Sequence, residues 1–82
     1  MKYFQSLIKP EIDYILNNAN FNAEQADLFR YLTAPDYNIK YTYINICEKM
    51  HISPSKLNKL KTEIKEKINR LAKYNTNISR AD

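Results

Sequence analysis

The sequence predicts an all-α fold of four helices, with a fifth if residues 1–9 form one of their own. Three observations predict it. Apolar residues recur at i, i+3, i+4 spacing in four separate segments, the period of one helix face. Good helix-starting residues stand just ahead of three of those segments: Asn22, Thr42 and the pair Ser53-Pro54. Glycine is absent altogether, which leaves little provision for tight hairpins or phosphate-cradling loops.

Taken in order, residues 1–9 carry Tyr3, Phe4, Leu7 and Ile8, enough apolar surface for a short helix or a packed arm. Pro10 suits the first turn of a helix, where its missing N–H costs nothing. Ile12, Ile15 and Leu16 share one face of that helix, and the run Asn17-Asn18-Ala19-Asn20 ends it. Asn22 then caps a second helix over residues 23–32, with Gln25 completing a capping box. Ala26, Phe29 and Leu32 form its stripe, with Leu28 beside it, and Phe21 is placed to staple onto Ala26. Residues 33–40 read as a loop, because Pro35-Asp36 and Asn38 are turn residues.

Thr42 caps a third helix over residues 43–50, with Tyr43, Ile46, Cys47 and Met50 on one face. A β-strand over residues 39–46 is the rival reading, given its β-branched and aromatic content. His51 and Ile52 break the pattern. Ser53-Pro54 starts the last and longest helix, over residues 54–73, whose stripe is Leu57, Leu60, Ile64, Ile68 and Leu71. Glu63–Lys67 and Glu66–Arg70 are i, i+4 pairs in the favourable order. Residues 75–82 are polar and read as a frayed tail.

The 82 residues suffice for one domain with one small core. The single cysteine, Cys47, excludes an internal disulfide, and its place among apolar neighbours makes it a small core residue. No stretch is long and apolar enough for a membrane span, and the first eight residues are too short and mixed for a secretory signal, so a cytoplasmic location is expected. Catalysis finds no support: no Cys/His nucleophile pair, no Gly-rich phosphate loop and no metal-ligand spacing, so neither an enzyme nor a cofactor is expected.

The formal net charge is +4, and its distribution matters more than its size. Over residues 1–36, Lys2, Lys9 and Arg30 face Glu11, Asp13, Glu24, Asp27 and Asp36. Over residues 49–73, Lys49, Lys56, Lys59, Lys61, Lys65, Lys67, Arg70 and Lys73 face only Glu63 and Glu66. A polyanionic partner would meet the second half. The bland reading of such a lysine series is a solvated helix face.

Residues 42–57 join two helices by a very short break, with small Cys47 midway along the first and apolar Ile46, Met50, Ile52, Leu57 and Leu60 around the corner. Such packing leaves the start of the second helix projecting from the body. This segment resembles the helix-turn-helix of the LuxR type and of the promoter-reading C-terminal domain of sigma factors. Those families show a pattern of the form S-x-x-E-I-A-x-x-L-G-I-S-x-x-T-V. It is matched here by Thr42, Ile46, Cys47, Met50, His51, Ile52, Ser53 and Leu57. The stretch F-N-A-E-Q-A-D-L-F-R-Y-L, residues 21–32, is similar to the first helix of that unit, and the likeness covers residues 21–71. Departures are His51 for the usual turn glycine, Asn45 for an acidic residue, a longer connection over residues 33–40, and Lys61 at an often apolar position, where Leu60 would take over the contact.

The resemblance implies a transcription regulator or sigma-like accessory domain that binds double-stranded DNA through the helix starting at Pro54. Ser55, Lys56, Asn58, Lys59 and Thr62 would face base edges. Thr42, Tyr43 and the N-terminus of their helix would hold a phosphate, with Lys40, Lys61, Lys65 and Arg70 adding phosphate contacts. A sigma-like role would also bring RNA polymerase as a partner, and specificity from so small a domain favours a homodimer. Past the corner, Ile64, Ile68 and Leu71 suit either core or a dimer seam. The alternative function is a helical protein-interaction module, an adaptor of a phage or mobile element acting on polymerase or another regulator, with Tyr3, Phe4, Tyr37 and Tyr41 as its contact surface.

Overall fold

The computed structural model describes residues 3–34 and 42–74. Within them the chain forms α1 (Tyr3–Ser6), α2 (Lys9–Asn18), α3 (Ala23–Thr33), α4 (Tyr43–Met50) and α5 (Pro54–Tyr74). The described residues contain no strand, so residues 43–50 take the helical reading and not the extended one. Residues 35–41 and the tail at 75–82 lie outside the described residues.

Each helix start follows from local chemistry. At α2 the Glu11 carboxylate reaches back to accept from the Ile8 backbone N–H at 3.1 Å, and Pro10 occupies the first turn. At α3 Asn22 Oδ1 accepts from Gln25 N at 2.8 Å, and Gln25 Oε1 accepts from Asn22 N at 3.1 Å. At α4 the Thr42 hydroxyl accepts from Asn45 N at 3.3 Å. At α5 Ser53 Oγ accepts from Lys56 N at 3.1 Å. Each of these bonds satisfies an amide that the helix itself leaves without a partner.

The corner between α4 and α5 has three residues, 51–53. His51 closes α4 in the left-handed region, at φ 56° and ψ 46°. Its amide donates to Glu48 O at 3.3 Å, and the next amide, of Ile52, donates to Cys47 O at 3.0 Å. These are the paired bonds of a Schellman ending, with histidine where glycine is usual. Half-buried Ile52 then packs against the core beneath the turn. The Tyr43 hydroxyl donates to Pro54 O at 3.1 Å, tying the first residue of α4 to the first residue of α5.

The core is one cluster. Ile15 of α2, Leu28, Phe29 and Leu32 of α3, Ile46 and Cys47 of α4, and Leu57, Leu60, Ile64, Ile68 and Ala72 of α5 are buried together. Phe4 joins them from α1, meeting Phe29 edge-on at 6.1 Å between ring centroids. The largest helix interface is between α3 and α5. Ile64 and Ile68 are fully buried in this single-chain core, so that part of the stripe is core; a dimer would have to use other surface.

One detail differs from the sequence reading. The inward face of α3 is Gln25, Leu28, Phe29 and Leu32, while Ala26 sits at its edge, half-buried. Phe21 lies against Phe29, 5.3 Å between ring centroids.

Two stability measurements check this packing. Ile64→Ala empties a fully enclosed site and is expected to cost about 2–5 kcal/mol in urea unfolding. At position 51, Gly is tolerated as well as His, whereas His51→Val costs about 2 kcal/mol, because a β-branched side chain clashes in the left-handed region. Equal stability of the Gly and Val variants would contradict the observed cap.

Candidate nucleic-acid interface

The chemistry-bearing surface of α5 is set by its helical register. The buried stripe from Leu57 to Ala72 fixes which side of the helix faces in. At about 100° per residue, Ser55, Asn58, Lys59 and Thr62 then fall within an arc of about 100° on the opposite side. All four are exposed. Two hydroxyls, one carboxamide and one ammonium thus share a single outward patch on the first turns of α5. Thr62 Oγ1 donates to the Asn58 carbonyl at 3.0 Å, which leaves its lone pairs outward as acceptors. One turn past Thr62 the same face carries exposed Glu66, so the patch free of acid ends there.

Lys56 is exposed but belongs to the flank of α5 nearest α3. Its Nζ lies 3.5 Å from Glu24 Oε1. Lys61 and Lys65 occupy the other flank, both half-buried. Burial lowers the Lys61 pKa below its ordinary 10.5, and the neighbouring Lys65 charge adds to the effect. Leu60, the residue before Lys61, is buried in the core.

At the start of α4, Thr42 is exposed, and its hydroxyl keeps a proton to donate while it caps the helix. Tyr43 is half-buried, with its hydroxyl proton given to Pro54 O, so its main structural part is to brace the corner. Arg70 is exposed but sits about 22 Å along α5 from Ser55 at ~1.5 Å per residue, well beyond the first turns. Lys40 lies outside the described residues, as do Tyr37 and Tyr41.

Sequence reasoning missed the polar hub that fixes this helix against the body. Gln25, 3% exposed, receives Lys67 Nζ on its Oε1 at 2.6 Å and donates from Nε2 to Glu63 Oε1 at 3.1 Å. Lys67 Nζ also donates to Asn20 O at 2.8 Å, where the backbone turns through φ 59°. Glu63 and Lys67 therefore meet through the buried carboxamide of α3, where the sequence spacing had paired them along α5. The signal available was a capping-box glutamine lying i, i+3, i+4 and i+7 with Leu28, Phe29 and Leu32. Its backbone-capping oxygen also serves the neighbouring helix.

An open cleft of about 560 Å³ separates α3 from α4, lined by Glu24, Asp27, Arg30, Tyr31, Ala34, Lys49 and Met50. Among the described residues no group of three or more His, Cys, Asp or Glu side chains is placed to hold a metal ion, and no helix is long and apolar enough to cross a membrane. No protein-family model, curated protein or solved structure matches this chain.

The half-buried lysine yields a test of sign. A folded-state pKa below the unfolded value means that the unfolded chain holds the proton more tightly, so stability rises as pH climbs through the folded pKa toward 10.5. Lys61→Met is therefore expected to melt higher than the parent at pH 7. That advantage shrinks at pH 10, where the parent has begun to shed its proton. A variant that melts lower at pH 7 would show that the lysine charge is stabilised in place.

Proposed function

We propose that this chain binds double-stranded DNA and reads its sequence with the first turns of α5, acting as a transcription regulator or sigma-like accessory domain. The observation that carries the reading is the single outward patch of Ser55, Asn58, Lys59 and Thr62 at the end of a three-residue corner. A helix start held away from the body fits the major groove, which is about 12 Å wide and presents a distinct donor and acceptor pattern for each base pair. Asn58 offers the paired donor and acceptor that adenine N7 and N6 require, and Lys59 the donors that guanine O6 and N7 accept. Exposed Thr42 at the start of α4 suits a backbone phosphate, helped by the amides of that helix end. Lys61 and Lys65 would approach the flanking strand on one side of α5 and Lys56 on the other. A half-buried lysine whose charge is disfavoured in the free protein gains most from an arriving phosphate. Lys49, Lys73 and Arg70 widen the positive field that steers association.

A protein-interaction reading has one observation of its own. Ile44 on α4 is 69% exposed, the most exposed large hydrophobic side chain among the described residues. A polymerase or regulator docking there would be compatible with DNA on α5, so the two readings assign different surfaces.

Duplex binding measured at two salt concentrations tests the main proposal. Replacing both Lys56 and Lys59 with Ala is expected to weaken binding to every duplex and to reduce the log–log salt slope by about 0.9 for each phosphate no longer neutralised. Asn58→Ala is expected to cost about 1–3 kcal/mol on the best duplex and much less on unrelated ones. Unchanged affinity and slope in the lysine double variant would remove α5 from the interface. Retention of a stable protein partner after nuclease treatment, abolished by Ile44→Asp, would favour the second reading.

A further inference from the structure

We infer that Glu24 is a specificity-determining residue of the α5 face, holding Lys56 back so that the domain discriminates between sequences and does not simply bind any duplex. The inference rests on the DNA-binding reading and deepens it. Its basis is the contact between α3 and α5 in which Lys56 Nζ and Glu24 Oε1 lie 3.5 Å apart, with both side chains about half exposed. Lys56 differs in this from Lys59, which shares the outward patch and has no acid within ion-pair distance among the described residues.

The chemistry runs as a competition. A duplex phosphate can use Lys56 only by drawing the ammonium away from Glu24, and the carboxylate left behind repels the same phosphate. Both effects weaken contacts to the backbone, which carry no sequence information. Neither touches the hydrogen bonds that Ser55, Asn58 and Thr62 offer to base edges, because those side chains lie about 100–160° around the helix from Lys56. A poor site is held by backbone contacts alone and can settle in any register that brings Lys56 to a phosphate, whereas base contacts at a good site fix the register. Glu24 therefore weakens the poor site more, and the ratio between the two rises. Asp27 stands one turn further along α3 and lines the same cleft as Glu24, but its carboxylate is engaged by Arg30 at 3.3 Å. Exposed pairs of this kind are weak, so the effect is a modest one that a phosphate can overcome.

The test uses the full chain and two 20-base-pair duplexes: one enriched by the parent protein from a random pool, and one of the same composition in scrambled order. At low salt, Glu24→Gln is expected to bind the scrambled duplex about two- to fivefold more tightly than the parent does, with a salt slope steeper by about 0.9. The enriched duplex gains less, so discrimination falls. Asp27→Asn removes the same charge from the same helix and leaves discrimination within about twofold. In a Lys56→Gln background the effect of Glu24→Gln shrinks to the loss of the carboxylate's own repulsion, since no ammonium remains to release. Circular dichroism melting confirms that each variant folds. If the parent discriminates between the duplexes and Glu24→Gln changes neither affinity nor slope, the role of Glu24 is overturned while the DNA-binding reading stands. If the parent enriches no sequence and binds neither duplex, the DNA-binding reading falls, and the role of Glu24 with it.

Discussion

At His51 the backbone enters the left-handed region, and the direction of α5 depends on that one residue. Paired bonds from the amides of residues 51 and 52 satisfy the last carbonyls of α4 and stop it after eight residues. Ser53 and Pro54 restart the helix at once. Tyr43 then ties the two helix starts together across the corner. Cys47 matters for a related reason: a small buried side chain on α4 lets α5 come close. A larger residue there, or a straight continuation at His51, would carry the lysine-rich half of the chain off in another direction.

The body that supports this corner is built to hold α5 at one rotation as well as in one direction. Apolar burial alone leaves a helix some freedom to roll about its axis. The Gln25 hub limits it, because Glu63 and Lys67 must both meet one carboxamide with hydrogen-bond geometry while Lys67 also reaches the Asn20 carbonyl. A buried polar group of this kind is costly unless its partners are in place, so the correct roll angle is favoured over its neighbours. The consequence lies on the far side of the helix, where Ser55, Asn58, Lys59 and Thr62 are aimed together at solvent.

The fold was largely legible in the sequence, and the reasons are local. Asn22, Thr42 and Ser53-Pro54 announce helix starts because side-chain oxygens at those positions satisfy amides three residues on. His51 was legible as a turn residue through the resemblance, which sets it where glycine is usual, and histidine is among the non-glycine residues that enter the left-handed region. What escaped was long-range. Gln25 looked like a capping residue, and nothing within one turn of it reveals that Glu63 and Lys67 converge on it from 38 and 42 positions away. Glu24 looked like an acid placed for the helix dipole, yet its carboxylate also reaches Lys56 on another helix. The outward patch was readable residue by residue from its spacing off the apolar stripe. Spacing also puts Lys56 on one flank of α5 and Lys61 and Lys65 on the other, but it does not give that α3 lies beside the Lys56 flank.

Backbone amide chemical shifts, followed by NMR as a short duplex is titrated into the isotope-labelled chain, test the central claim most directly. The account predicts that the perturbed amides concentrate between residues 42 and 62, strongest around 53–59, and that the far end of α2 stays unmoved. Perturbations centred on Ile44 and α2 with α5 silent, or no perturbation at any duplex concentration, would contradict it.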